Sequence, residues 1–223
     1  MESAFARKPK QTRSRQSFDR MLDAAAKILA EGGLPALTLA EVSRRSKVSI
    51  GSIYCRVDGK EDLLRAVQAR ELARMDREFA LLVTRVRRRQ LPLRELAPTM
   101  VRELGNFLRR HAPLLSAFMQ QAVSDPVLEE TGGRSWQQTA LDFKQVLLDR
   151  RDEFGHPDPD HAADMCFVVV YGCLARFLGF NTFGDVRGLQ FSWNDLIEDL
   201  GLMVLGFLAM DLKGAMRLPG RKA

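Results

Sequence analysis

Cysteine is scarce in this chain of 223 residues: Cys55, Cys166 and Cys173 are all it has. Their spacing fits neither a zinc site nor an even disulfide framework, which points to a reducing cytoplasmic setting. Long apolar runs are also missing. The two longest, Met165–Ala175 and Leu200–Met210, hold 11 residues each, against the ~20 that a membrane-spanning helix needs. The opening MESAFARKPKQTRSRQ has no apolar stretch of the kind a secretory signal requires. No segment alternates as a half-buried strand does, and no repeat stands out. A glycine-rich phosphate loop and any nucleophile–base arrangement are absent too. These absences argue against an enzyme, and no cofactor is expected.

What is present is an ordinary core-forming composition, 46% hydrophobic and 28% charged. The net charge of +6 is unevenly placed: residues 1–60 carry 12 Lys/Arg against 6 Asp/Glu, and the remainder carries 22 of each. A basic end of this kind is the electrostatic footprint of a protein with a polyanionic partner. The plainer alternative is a solvated basic tail.

The apolar periodicity is helical nearly throughout and predicts an all-α chain of about nine helices. Residues 1–16 read as a flexible basic arm. Phe18, Met21, Leu22, Ala25, Ile28 and Leu29 form one stripe of a first helix from Ser17 that stops at Gly32-Gly33. Thr38, with Glu41 three residues on, reads as a capping box opening a second helix. Ser49 can cap a very short third helix ending at Tyr54. A long fourth helix carries Leu64, Val67, Leu72, Met75, Phe79, Leu82 and Val86. The arginines at its end (Arg85, Arg87, Arg88 and Arg89) suit a helix C-terminus, where cations offset the dipole. Farther on, a helix is expected over 93–111 that Pro98 must begin or kink, others starting at Pro113 and Pro126 with Asp125 capping the second, a break at Gly132-Gly133, and a restart at Ser135. Two more open at Asp158-Pro159 and Ser192, running to about Phe180 and Leu212 respectively.

The stretch RRSKVSIGSIYCRV, residues 44–57, is unusual for a segment built only for stability. Glycine inside a helix costs ~1 kcal/mol against alanine, yet Gly51 lies there between Ser49 and Ser52. Residues 38–54 fit two helices joined by a short turn, the second able to enter the DNA major groove. Val42, Val48 and Ile53 would pack inward, leaving Ser49, Ile50, Gly51, Ser52 and Tyr54 outward. Small residues permit close approach to a duplex, and the hydroxyls can donate to phosphate oxygens. Ile50 could meet only apolar features of a base, such as a thymine methyl. Thr38 and Lys60 stand at helix N-termini, where backbone amides favour a phosphate. Arg15 and Arg56 add positive charge nearby. The competing reading is a helical protein-interaction adaptor with a basic tail, which accounts for the apolar pattern but not for the clustered charge and outward hydroxyls.

The segment TLAEVSRRSKVSIGSIYCRVDGKEDLL resembles the DNA-binding domain of the tetracycline-repressor (TetR) family of bacterial regulators. Its opening Thr, Val-Ser turn, Gly-Ser-Ile-Tyr helix and Lys-Glu-Asp-Leu start match at Thr38, Val48-Ser49, Gly51–Tyr54 and Lys60–Leu63. The match covers about a quarter of the chain. Lys47 stands where the family usually has a turn glycine, Val57 where it usually has Phe, and Ile50 and Cys55 at positions more often polar or aromatic. The resemblance implies a domain over 17–60 that binds double-stranded operator DNA, and a helical effector-binding and dimerisation domain over 61–223. It implies a homodimer, most simply a repressor released by a small molecule. It further implies that some of Met100, Phe107, Phe118, Met119, Trp136, Phe143, Phe167 and Tyr171 line an effector cavity, although each taken singly reads as core. Gly172, Ala175, Gly179, Leu196, Leu200, Met203 and Phe207 are the corresponding dimer-interface candidates.

Two other constellations invite a chemical reading. In GHPDPDHAAD, residues 155–164, the histidines His156 and His161 are five apart and off any common helical face, so a helix start explains the segment better than a metal site. Cys166 and Cys173 are seven apart on one helical face and could be redox-active, though buried cysteine ordinarily behaves as a small hydrophobe.

Overall fold

The computed structural model describes residues 12–180 and 191–210. Eight α-helices follow one another: α1 Thr12–Ala36, α2 Leu39–Ser46, α3 Ile50–Tyr54, α4 Lys60–Arg88, α5 Leu93–Ala122, α6 Pro126–Leu148, α7 Pro159–Phe177 and α8 Trp193–Ala209. A single 3₁₀ turn, Arg151–Glu153, precedes α7. The expectation of about nine helices is thus met by eight and a short turn, among the described residues. None of these helices is long and apolar enough to cross a membrane.

The chain divides into two compact units. Among the described residues, the first holds 12–78, 110–136 and 179–180, and the second 79–109, 137–178 and 191–210.

In the first unit, α1 begins earlier than the hydrophobic stripe suggested, so residues 12–16 are helical, while 1–11 lie outside the described residues. Its regular geometry ends where expected, at Gly33, whose φ of 64° is open to glycine at little cost. Met21, Leu22, Ala25, Ile28 and Leu29 are buried on one face, with Val42, Val48, Ile53 and Val57 completing the small core. Val57, smaller than the Phe that the resemblance implies there, is itself buried at 2% exposure. Thr38 caps α2 by accepting the Glu41 N–H at 3.1 Å. The return half of the expected capping box is not formed, because the Glu41 carboxylate turns instead to Arg44 and Arg45.

Four expectations about breaks are corrected. Pro113 does not open a helix: α5 runs straight through it. The loss of one backbone N–H is offset by burial on both sides of the proline, with Leu108 and His111 before it and Leu114, Leu115 and Phe118 after it. Pro98 likewise lies inside α5. The third is Gly132-Gly133, which does not interrupt α6. The buried Gln68 of α4 donates to the Leu128 carbonyl at 2.9 Å, and Ser135 donates to Asp76 at 2.5 Å. These anchors hold α6 onto α4 on either side of the glycines. Lastly, α7 and α8 end at Phe177 and Ala209; residues 211 and 212, given to the last helix above, lie outside the described residues.

Asp125 caps α6 as read, accepting the Val127 and Leu128 N–H groups at 3.0 and 3.4 Å, and it also accepts from Arg65 at 2.9 Å. Burial pushes its carboxyl upward, but the Arg65 bond and the two backbone donors outweigh that and hold it below the ordinary carboxylate value. Its stabilising contribution is therefore complete above the unfolded pKa of about 4 and is lost as pH falls through the lower folded value. Asp125→Ala is expected to cost about 2 kcal/mol at neutral pH, combining a lost cap with a lost charge-assisted bond. Denaturation at a series of pH values checks this: the gap between variant and parent should close in acid.

In the second unit, α5 and α8 approach closely through glycine. A β-carbon on Gly201 would lie 3.0 Å from the Pro98 backbone, and one on Gly105 would collide with Ile197. Ser192 caps α8 in a complete capping box with Asp195. The other end of α8 is held by the N–H of Gly155, which donates to the Leu208 carbonyl at 2.9 Å. Arg87, in the arginine cluster ending α4, forks onto Asp149 at 2.6 Å.

Candidate nucleic-acid interface

Helix α3 has only five residues, too few to be stable alone. It is held by Ser49, whose hydroxyl accepts the Ser52 N–H at 3.3 Å and lies 2.8 Å from the Ser52 hydroxyl. Its inner side is anchored by Ile53, with no exposed surface, and by Val48 just before it. Ser49, Ile50, Gly51, Ser52 and Tyr54 are all exposed. Ile50 and Tyr54 are 47% and 52% exposed, unusual for large apolar side chains on so short a helix. Among the described residues, nothing stands within 4 Å of a β-carbon built on Gly51. The outward face is therefore small, hydroxyl-bearing and open.

The basic residues around this face are placed differently from one another. Arg15 is exposed on α1. Arg56 is half-buried and donates to Ser14. Lys60, the first residue of α4, donates to the Leu34 carbonyl at 2.9 Å and so seals the end of the first helix. Thr38 is exposed, and its hydroxyl proton remains available while its oxygen serves as the cap. Arg44 and Arg45 were not singled out from the sequence. Both lean on Glu41, whose carboxyl they hold down at about 2 through paired hydrogen bonds. Arg45 reaches Glu31 as well, and Arg44 is 70% exposed. A basic pair following Glu41 at three and four residues was the available signal for this network.

Of the effector-cavity candidates, Phe118, Met119 and Trp136 belong to the first unit and the others to the second. Phe143 and Phe167 are buried with ring centres 5.6 Å apart, and Phe167 meets the half-buried Tyr171 at 5.5 Å. Burial pushes the Tyr171 hydroxyl up to about 12. Phe107 is paired with Phe79 at 5.0 Å. Met100 and Phe118 are buried, Met119 is half-buried, and Trp136 is 38% exposed.

Among the dimer candidates, Leu200 and Ala175 are 3% and 5% exposed and belong to the interior of their own chain. They are corrected on that ground: the small and apolar residues of α7 and α8 serve two faces, and these two point inward. Leu196 is half-buried, whereas Gly172, Gly179, Met203 and Phe207 are exposed. The sequence missed the other members of the outward face: Met165, Val168 and Val169 of α7, and Leu202 of α8 with Met210 just beyond it.

Cys166 is buried and its thiol is pushed up to about 12, while Cys173 is exposed, so the two do not share an environment. His156 and His161 are 6.4 Å apart between ring centres, and Asp158 caps α7 through the His161 N–H. Asp160 and Asp164 pair with Lys144.

A two-helix unit with an open, hydroxyl-bearing second helix, on a basic three-helix frame, is a helix-turn-helix of the DNA-binding type. Residues 21–67 match the family described as "Bacterial regulatory proteins, tetR family". Over residues 21–67 the chain thus carries a helix-turn-helix domain of the kind this family describes. It is 31% identical over 66 residues to the uncharacterized HTH-type transcriptional regulator TtgW of Pseudomonas putida, a match covering 30% of this chain and 49% of that protein. The chain thus spans about half the length of that relative. The fold matches a TetR-family transcriptional regulator from Mesorhizobium loti with a TM-score of 0.70 at 18% identity, over 89% of this chain and 98% of the other. It also matches the fatty acid degradation regulator FadR of Bacillus halodurans, with a TM-score of 0.57 at 16% identity, over 85% of this chain and 98% of the other.

Proposed function

We propose that this chain is a sequence-specific DNA-binding repressor that acts as a homodimer and is released from its operator by a small-molecule effector. One observation carries the DNA-binding role: α3 buries Ile53 alone and turns Ser49, Ile50, Gly51, Ser52 and Tyr54 to solvent. A helix that exposes most of its surface gains little stability from its own packing, so its side chains are free to be selected for contact. Dimerisation is supported by the apolar residues that α7 and α8 leave uncovered, since an exposed patch of this kind usually marks an interaction surface. Two recognition helices held at one helical turn of DNA, or a multiple of it, would read paired half-sites. An effector bound in the larger helical domain would favour a dimer spacing that no longer fits, and operator DNA would weaken effector binding by the same factor.

Tyr54→Phe tests the reading at the proposed interface. The residue is 52% exposed, so thermal stability should hold while DNA affinity falls by about 1–3 kcal/mol, the worth of a charge-assisted phosphate bond. Titration of a labelled duplex from the chain's own upstream DNA, beside a melting curve, measures both. A variant that melts much lower yet binds normally would make Tyr54 a structural residue and remove it from the interface.

A further inference from the structure

The turn between α2 and α3 is strained at one residue, and that residue is a lysine. Lys47 has φ 55° and ψ 33°, in the left-handed region. Side chains other than Asn, Asp and Gly seldom adopt it, because the β-carbon crowds the following carbonyl. The surroundings hold it there. Ser43 donates its hydroxyl proton to the Val48 carbonyl at 2.7 Å, and the Val48 N–H donates to the Ser46 hydroxyl at 3.2 Å. Arg20 donates to the Ser46 carbonyl at 3.4 Å, and Ser46 is buried. Both main-chain groups of Val48 are thus tied to α2 by serines.

Glycine would fit this position without strain, so conformation does not explain the lysine. Neither does any contact: Lys47 is exposed and has no hydrogen bond or ion pair among the described residues. Its basic neighbours are engaged, Arg44 and Arg45 with Glu41, Lys60 with Leu34 and Arg56 with Ser14. What distinguishes Lys47 is a free ammonium two residues before Ser49, the cap of the recognition helix. Strain retained at a functional site marks a residue kept for its role.

We propose that Lys47 is a contact to the DNA phosphate backbone, and that Ser43 and Ser46 are positioning residues that hold the strained turn from which it projects. This rests on the DNA-binding reading above and adds to it a residue outside the recognition helix. A lysine that neutralises one phosphate releases its counterion and steepens the salt dependence of binding by ~0.9 in a log–log plot.

The test uses the full chain and a duplex that the unaltered chain selects from a random pool, with a scrambled duplex of equal length. Lys47→Asn removes the charge while tolerating the left-handed turn, and Lys47→Arg keeps the charge. The Asn variant should lose about one phosphate's worth of salt slope, ~0.9, weaken both duplexes by the same factor, and melt at the same temperature or higher. The Arg variant should keep the slope. Ser43→Ala should lower affinity for the selected duplex more than for the scrambled one, with Ser43→Thr restoring it. An Asn variant with an unchanged slope would overturn the contact, and a Ser43→Ala variant with unchanged selectivity would overturn the positioning role. An unaltered chain that shows no salt-dependent duplex binding would instead overturn the DNA-binding reading, so the failures are distinct.

Discussion

Glutamate at both Val168 and Met203 is expected to leave the chain monomeric and to reduce its affinity for specific DNA to the level of a scrambled duplex. The two side chains are 50% and 61% exposed, on α7 and α8 respectively. Solvent can hydrate the new carboxylates in the monomer, so the fold should survive. In a dimer packed through this face, the same carboxylates would be desolvated without partners, and an unpaired buried charge costs about 3–5 kcal/mol. One five-residue recognition helix offers few contacts, so specific affinity depends on two being held at the half-site spacing. Light scattering and titration of selected and scrambled duplexes should therefore change together. Leu200 is unsuited to this experiment despite its place on α8: it is buried in its own chain, and a charge there would unfold the helix instead of separating one copy from the other. A Val168→Glu, Met203→Glu variant that remains dimeric would move the interface elsewhere.

Phe143→Ala is expected to cost about 3–5 kcal/mol, the usual loss on removing a buried ring. That is a large share of a domain's typical net stability of about 5–15 kcal/mol. Phe143 has no exposed surface and packs its ring against Phe167, itself buried and in contact with Tyr171. The measurement is a chemical-denaturation midpoint with the slope checked for constancy, since a changed slope would signal altered compactness. A loss below about 1 kcal/mol would mean the ring borders space rather than packed atoms, and would return Phe143 to the cavity candidates.

Local chemistry was readable wherever one or two residues decide the backbone. Gly33 stops the first helix, Thr38 and Ser49 cap α2 and α3, Asp125 with Pro126 opens α6, and Ser192 opens α8. In each case the partner lies within a few residues, so the sequence alone brings donor and acceptor together. At Lys47 the signal came from the resemblance, which implies a turn glycine there, and the backbone is left-handed at φ 55°. Proline and glycine inside helices were misread for the opposite reason. Pro113 and Gly132-Gly133 weaken their helices locally, but burial along α5 and the hold of Gln68 and Asp76 on α6 outweigh that cost.

The sequence by itself determined the helical class, the charge concentrated at one end, and the helix-turn-helix with its outward hydroxyls. These follow from periodicity and spacing within a short stretch. Only the tertiary structure decided which side of α7 and α8 faces inward. Apolar residues surround both helices, so periodicity points in two directions; Leu200 turns inward, where the neighbouring Gly201 lets α8 settle on Pro98, and Met203 is left in solvent. It also decided that Glu41 serves Arg44 and Arg45 rather than its own cap, and that Lys60 seals α1 while Lys47 stays free. Each choice is a competition between partners, and where Lys60 meets Leu34 the partners are far apart in sequence, so only the folded chain can settle it.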